Sequence, residues 1–128
     1  MAYEVASASE FPGWVYQLRQ GATTVWERWD TDEQVGSRMN SRNHSPFPCV
    51  SAWFYEGVAG IRVSAALPEE RRVDVTPGRI AALDWAEATV ETPQGPVATR
   101  WERDGDLTVD LEVPWNLTAA VHLPAEPT

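Results

Sequence analysis

The chain has 128 residues, 43% of them hydrophobic, which suits one ordinary domain or two small ones. Its formal net charge of −9 argues against a nucleic-acid partner or an anionic membrane surface, because the phosphates of either would be repelled. No apolar stretch approaches the roughly 18 residues of a membrane span, and the single cysteine excludes an internal disulfide. We therefore expect a soluble chain, cytoplasmic or secreted, with no membrane partner and no nucleic-acid partner.

The first half of the chain carries helical patterns interrupted by loops. Residues 2–9 are alanine-rich and predict a helix, and Pro12 suits the first turn of a second helix that stops at Gly21. Between residues 45 and 60 a third helix is predicted, with Gly60 at its end. Its apolar positions recur at spacings of three or four: Phe47, Val50, Phe54, Gly57 and Ile61. Helices this short bury little by themselves, so this half is expected to need neighbours from outside the sequence.

After residue 62 the apolar period becomes two. In LTVDLEV, residues 107–113, leucine and valine alternate with polar residues, which predicts a strand with one buried face, and TAAVHL repeats the alternation. The runs RRVDV, ATVET and PVATRWER complete the set, and Asp104-Gly105 and residues 93–96 are typical of hairpin turns. The expected fold class is therefore α+β, with a helical N-terminal part followed by a small antiparallel β-sandwich.

The stretch GATTVWERWD, residues 21–30, places one glutamate, Glu27, between two tryptophans, Trp26 and Trp29. If the stretch is extended, Glu27 shares a face with Val25 and Trp29. An apolar setting disfavours the charged form of a carboxylate, and a carboxylate tuned in this way suits general acid or base chemistry. The residues alone leave a second interpretation open, in which Glu27 pairs with an arginine at the edge of a folded segment.

Three further features of the sequence give weaker evidence of a functional site. The seven tryptophans favour core packing, although indoles also stack on the apolar faces of sugar rings. Asp30, Asp32 and Glu33 lack the spaced ligands and the glycine of a calcium-binding EF-hand, so no metal site is expected there. Cys49 has no evident basic or metal partner and is expected to be a small buried hydrophobe.

The order of several motifs resembles glycoside hydrolase family 78, the bacterial α-L-rhamnosidases. PGWVYQLRQGATTVWERWD, MNSRNH and VSAWFYEGVAGI follow the order of that family near the end of its catalytic domain, and the stretch from VTPGRI to VHLP is similar to its C-terminal β-sandwich. The resemblance implies the end of an (α/α)6 barrel over residues 1–62 and a β-sandwich domain over residues 63–128. It also implies inverting hydrolysis of terminal α-L-rhamnose, in which an acid protonates the leaving oxygen and a carboxylate opposite activates water.

The resemblance also implies roles for single residues. Glu27 matches the general base of the family, and His44 matches a histidine that contacts the sugar, where a neutral imidazole can both donate to and accept from hydroxyls. Asn43 is a further substrate-binding candidate, and it equally suits shaping the loop or capping the following helix. Four tryptophans are candidates for the wall of the rhamnose pocket, with Trp29 first and then Trp14, Trp26 and Trp53. For each of them, packing in the core is an open alternative. No cofactor and no metal are implied.

The family's general acid and most of its sugar contacts lie upstream of the matched segment. Half of a carboxylate pair cannot perform inverting hydrolysis, so we expect the isolated chain to be inactive. Its expected partners are rhamnose-containing glycosides and the missing N-terminal part of the same enzyme. For residues 63–128, a non-catalytic carbohydrate-binding module and a structural cap stay open. Three tryptophans distinguish these roles: Trp85, Trp101 and Trp115. Their exposure on one common face would favour carbohydrate binding, and their burial would favour a structural cap.

Overall fold

The computed structural model describes residues 1–29, 41–44, 49–63 and 72–123. It divides into two compact units, Met1–Val50 and Ser51–Thr128. Within the described ranges, no helix is long and apolar enough to cross a membrane. The family-based boundary at residue 62 stays a prediction.

The N-terminal unit contains two short helices, α1 (Ala2–Ser7) and α2 (Trp14–Arg19). The backbone N–H of Tyr16 in α2 donates to the carbonyl of Ala8, just after α1, at 3.0 Å. Gly21 ends α2 as predicted, because its φ of 85° lies in the left-handed region that favours glycine. The Phe11–Pro12 peptide bond ahead of α2 is cis.

A third helix begins at Val50 as α3 (Val50–Trp53) and continues as a π-helical segment (Phe54–Ala59). The N–H of Gly60 donates to the carbonyl of Tyr55, five residues earlier, at 2.8 Å. Gly60 ends the helix as predicted, with a φ of 89°. A Cβ at this position would clash with the carbonyl of Thr76, so both conformation and close approach require glycine. The predicted helix start, with Phe47, lies outside the described residues.

Within residues 51–63 and 72–123, the C-terminal unit contains two three-stranded sheets. The first has the order β1-β2-β6 and the second the order β3-β4-β5. The strands are β1 (Ile61–Val63), β2 (Arg72–Val75), β3 (Trp85–Thr92), β4 (Gly95–Asp104), β5 (Asp106–Glu112) and β6 (Thr118–Val121). The second sheet is an antiparallel meander. Its β4–β5 turn contains Gly105 at a φ of 79°, as the Asp-Gly pair predicts.

The first sheet is mixed, which departs from the all-antiparallel expectation. β1 and β2 pair antiparallel, with Ile61 opposite Val75, whereas β2 and β6 pair parallel, with Val73 opposite Ala119. Between β2 and β6 the chain forms all three strands of the second sheet. This long connection permits β6 to pair parallel to β2, whereas a tight hairpin permits only antiparallel pairing. The α+β class with a helical part followed by a small sandwich is confirmed.

The core of the C-terminal unit lies between the two sheets. Buried side chains of the first sheet meet Val97 of the second, and further apolar side chains pack around them: Ile61, Val73, Val75, Ala88, Val90, Leu111 and Leu117. Full burial of one such valine, leucine or isoleucine contributes about 1.5–3 kcal/mol. The period-two pattern of the sequence thus becomes a set of inward-facing side chains, because successive strand residues point to opposite faces.

One sequence expectation needs correction. Cys49 is exposed, so its predicted burial is wrong. A small residue next to a helix start gains burial only where another element covers it, which composition does not reveal.

The late tryptophans do not share one exposed face: Trp101 is fully buried, whereas Trp85 is 51% and Trp115 96% exposed.

Candidate functional site

Two loop segments of the N-terminal unit meet around Glu27. The N–H of Glu27 donates to the carbonyl of Ser41 at 2.9 Å, and the N–H of His44 donates to the carbonyl of Val25 at 2.8 Å. The hydroxyl of Thr24 donates to the carbonyl of Arg42. These hydrogen bonds join residues 24–27 to residues 41–44, although more than a dozen residues separate the two segments along the chain.

The carboxylate of Glu27 lies at the centre of this junction. Its Oε2 accepts a hydrogen bond from the N–H of Ser41 at 2.8 Å and lies 4.0 Å from Nδ1 of His44. The side chains of Glu27 and His44 are 21% and 31% exposed, so both are half-buried and both reach the surface. A backbone N–H aimed at a carboxylate oxygen stabilises negative charge there. The pair therefore offers a fixed acceptor oxygen beside an imidazole that can exchange hydrogen bonds with a polar ligand.

Aromatic side chains surround the junction. Trp26 is 6% exposed, and the guanidinium of Arg42 lies 5.8 Å from the centroid of its ring, within the range of a cation–π contact. Trp29 is half-buried and meets Trp14 of α2 edge-on, with ring centroids 4.9 Å apart and planes at 72°. The carboxylate of Glu27 thus sits in a partly apolar, aromatic setting.

The segment containing Glu27 is not a strand, because residues 27–29 form consecutive bends. The condition under which Val25, Glu27 and Trp29 would share one strand face is therefore not met. A strand face requires a regular pleat, and here the backbone follows the pairing with residues 41–44 instead. Asp30, at the end of the motif, lies outside the described residues.

The other predicted site residues take different positions. Asn43 is exposed, and its N–H donates to the hydroxyl of Ser41 at 3.2 Å, a local bond that shapes the loop. Trp26 is buried, and Trp53 belongs to the C-terminal unit, where it packs against Phe54. The geometry thus brings Glu27, His44 and their loop partners together, while the substrate-binding roles of Asn43, Trp26 and Trp29 stay predictions.

Sequence reasoning missed two residues that hold the junction. Ser41 pairs with Glu27 through both its N–H and its carbonyl, which no side-chain motif records. Gln17 is 3% exposed, and its Nε2 donates to the carbonyl of Arg28 at 3.0 Å. The sequence feature that could have identified Gln17 is its position three residues after Trp14, which places it on the face of α2 that carries the aromatic contact.

Within residues 1–29, 41–44, 49–63 and 72–123, no group of three or more His, Cys, Asp or Glu side chains could hold a metal ion. Asp30, Asp32 and Glu33, where the sequence predicts no metal site, lie outside those residues.

Comparison with known proteins gives consistent matches along the chain. A model of the bacterial alpha-L-rhamnosidase six-hairpin glycosidase domain matches residues 1–58, and a model of the bacterial alpha-L-rhamnosidase C-terminal domain matches residues 60–128. Among curated relatives, alpha-L-rhamnosidases of Alteromonas sp. and Streptomyces avermitilis are 34% and 37% identical over 98% of the chain. The chain spans only 14% and 12% of the lengths of those relatives.

Solved structures agree with these matches. The alpha-L-rhamnosidase from Dictyoglumus thermophilum has a TM-score of 0.81 and 33% identity, covering 97% of this chain and 14% of that one. The Streptomyces avermitilis alpha-L-rhamnosidase complexed with L-rhamnose has a TM-score of 0.81 and 37% identity, covering 98% of this chain and 12% of that one. Identity at this level over nearly the whole chain supports more than a common fold.

Proposed function

Because the chain belongs to the bacterial α-L-rhamnosidase family, we propose that it acts as the C-terminal region of an inverting glycosidase that removes terminal α-L-rhamnose from rhamnosides. The observation that carries this proposal is the junction at Glu27, where a half-buried carboxylate lies 4.0 Å from the His44 ring. The relative solved with L-rhamnose supports the class of sugar.

Glu27 is the proposed general base. In inverting hydrolysis the base removes a proton from a water molecule as the water attacks the anomeric carbon, while an acid on the opposite side protonates the leaving oxygen. The Ser41 N–H bonded to Oε2 of Glu27 fixes the direction of the carboxylate, and Oε1 is the proposed acceptor of the proton from the water. His44, beside the same carboxylate, is the proposed hydrogen-bonding partner of a rhamnose hydroxyl.

The general acid is proposed to lie in polypeptide upstream of this chain. The curated relatives are far longer than the matched region, which leaves ample length for it. The acid and base of inverting enzymes stand roughly 6.5–9.5 Å apart, so both carboxyl groups must face one pocket. We therefore expect the isolated chain to release no aglycone from an aryl α-L-rhamnoside.

A hybrid enzyme tests the proposal. The matching C-terminal region of the Streptomyces avermitilis relative is replaced by this chain, and aryl α-L-rhamnoside hydrolysis is measured. We expect the hybrid to be active and Glu27→Gln to lower kcat by about 10²–10⁴-fold, the usual contribution of general-base catalysis. Glu10→Gln, which changes an exposed glutamate of the same unit, is the matched control. A hybrid that keeps full activity with Glu27→Gln would refute the assigned base. Turnover by the isolated chain that this substitution abolishes would instead refute the expected inactivity of the isolated chain.

The β-sandwich alone suits a second candidate function, that of a non-catalytic module. Burial of Trp101 and its hydrogen bond from Nε1 to the carbonyl of Val58, at 2.8 Å, favour a structural cap. The exposed Trp85 and Trp115 favour carbohydrate binding. A titration of the chain with rhamnose, followed by tryptophan fluorescence, distinguishes these roles. A response lost in Trp85→Ala or Trp115→Ala supports binding, and a flat titration leaves binding unsupported.

A further inference from the structure

Gln17 of α2 is a polar side chain in an unusual position. It is 3% exposed, and its Nε2 donates to the backbone carbonyl of Arg28 at 3.0 Å. A buried amide without a partner is costly, whereas a bonded one fixes the group that it meets. The contact therefore ties α2 to the Arg28–Trp29 peptide, one residue beyond Glu27.

The same face of α2 makes a second contact with this loop. Trp14 lies three residues before Gln17, and positions i and i+3 of a helix are neighbours on its surface. Its ring meets the edge of Trp29, with centroids 4.9 Å apart. The two residues that follow Glu27 are thus each held by one side chain of α2, one through a hydrogen bond and one through an aromatic contact.

Glu27 lies between two anchors. On one side, Ser41 bonds both to its N–H and to its carboxylate. On the other side, Gln17 holds the carbonyl of Arg28, and the carbonyl of Gln17 accepts the N–H of Ala22 at 3.0 Å, which fixes the entry into the loop. A carboxylate on a short loop keeps its direction only if the backbone on both sides of it is fixed.

We propose that Gln17 is a positioning residue for Glu27, which sets the direction of the carboxylate through the Arg28 carbonyl. This inference rests on the proposed role of Glu27 as general base. Gln17 does not touch the substrate. Without its donor, the Arg28–Trp29 peptide loses this hydrogen bond to α2, and a displacement of about 1 Å at a catalytic group can cost about 10²-fold in rate.

The test uses Gln17→Met in the active hybrid enzyme, because methionine keeps the length and volume of the side chain and removes the donor. We expect kcat to fall about tenfold to a hundredfold with KM unchanged, because the proton acceptor is displaced while the sugar contacts remain. Gln20→Met makes the same chemical change at an exposed position of the same segment and should leave both constants unchanged. A kcat equal to that of the parent would overturn the inference.

A second measurement separates positioning from simple loss of folding. In the full 128-residue chain, amide hydrogen exchange at Ser41 reports directly on its bond to the Glu27 carboxylate. We expect Gln17→Met to speed exchange at Ser41 and to leave α1 and the β-sandwich at parent rates. Unchanged exchange at Ser41, or equal acceleration at every amide, contradicts positioning.

The two proposals fail in different ways. If Glu27→Gln leaves the hybrid fully active, the role of Glu27 itself is wrong. If Glu27→Gln abolishes turnover and Gln17→Met has the kcat of the parent, Glu27 is the base and the positioning role of Gln17 alone is wrong.

Discussion

At the surface of the C-terminal unit, Asp74 of β2 is held by two basic side chains. Its Oδ1 lies 2.9 Å from Nε2 of His122 and 2.8 Å from the Arg72 guanidinium. The hydrogen bond with His122 and then the one with Arg72 hold the pKa of the Asp74 carboxyl below its usual value of 3.8. His122 follows β6, so this ion cluster joins the two strands that pair in parallel.

The lowered pKa of Asp74 has a definite consequence for stability. A carboxyl whose folded-state pKa lies below its unfolded value of 3.8 stabilises the fold fully above pH 3.8, and this contribution is lost as the pH falls through the lower folded-state pKa. We expect Asp74→Asn to be less stable than the parent at pH 5 to 7, and the difference to shrink below about pH 4. Denaturant unfolding across this pH range measures the effect. Asp106→Asn, at the exposed first residue of β5, is the control, and an equal acid dependence in parent and Asp74→Asn would contradict the prediction.

At the scale of elements, Trp101 connects β4 to the π-helical segment. Its Nε1 donates to the carbonyl of Val58 at 2.8 Å, and the guanidinium of Arg103 lies 4.8 Å from the centroid of its ring. Arg103 in turn donates to the carbonyl of Gly78 at 2.6 Å. One buried indole thus orders the helix end, the strand and the loop after β2.

Removal of this indole donor should destabilise the C-terminal unit. Trp101→Phe keeps an aromatic ring but removes the indole donor, so the Val58 carbonyl keeps only its bond from the N–H of Gly78 at 3.2 Å. The loss of one hydrogen bond should lower the free energy of unfolding by about 0.5–1.5 kcal/mol. Trp115→Phe makes the same change at a side chain that is 96% exposed and should stay within about 0.5 kcal/mol of the parent. Urea unfolding of the three proteins checks both values. Equal losses at the two positions would show that the buried hydrogen bond is not the cause.

Elements governed by local pattern were predictable from the sequence. LTVDLEV alternates over residues 107–113, and β5 spans Asp106–Glu112, because a pleated strand imposes the period of two by itself. The α2 stop at Gly21 was equally local. The parallel β2–β6 pairing and the π-helical segment were not predictable, since neither leaves a periodic mark in the chain.

The candidate site follows the same division. The residues next to Glu27 indicated an aromatic setting, and the structure has one. The approach of His44 to Glu27 depends on backbone bonds to a segment more than a dozen residues away, so only family resemblance pointed to it. Ser41 and Gln17 act through a backbone amide and a single buried side chain, and neither forms a motif.

At the scale of the whole molecule, the two units differ in how much apolar surface they bury. The buried hydrophobic residues of the C-terminal unit span both of its sheets and the π-helical segment, and they include Val58, Ile61, Val73, Val75, Val97 and Trp101. In the described part of the N-terminal unit, Trp26 is the buried hydrophobic side chain. Its helices α1 and α2 have six residues each. Helices shorter than about 12–15 residues are marginal without packing partners.

This difference predicts how separate fragments behave. We expect residues 51–128 to fold alone, with a cooperative thermal transition and a β-type far-ultraviolet circular dichroism spectrum, because two three-stranded sheets share one core. Residues 1–50 should show neither, because their short helices depend on packing that the fragment cannot supply. The full chain under identical conditions is the reference. A cooperative transition in residues 1–50 would show that the contacts around Glu27 suffice for folding. An unfolded fragment of residues 51–128 would show that the sandwich core needs the first fifty residues.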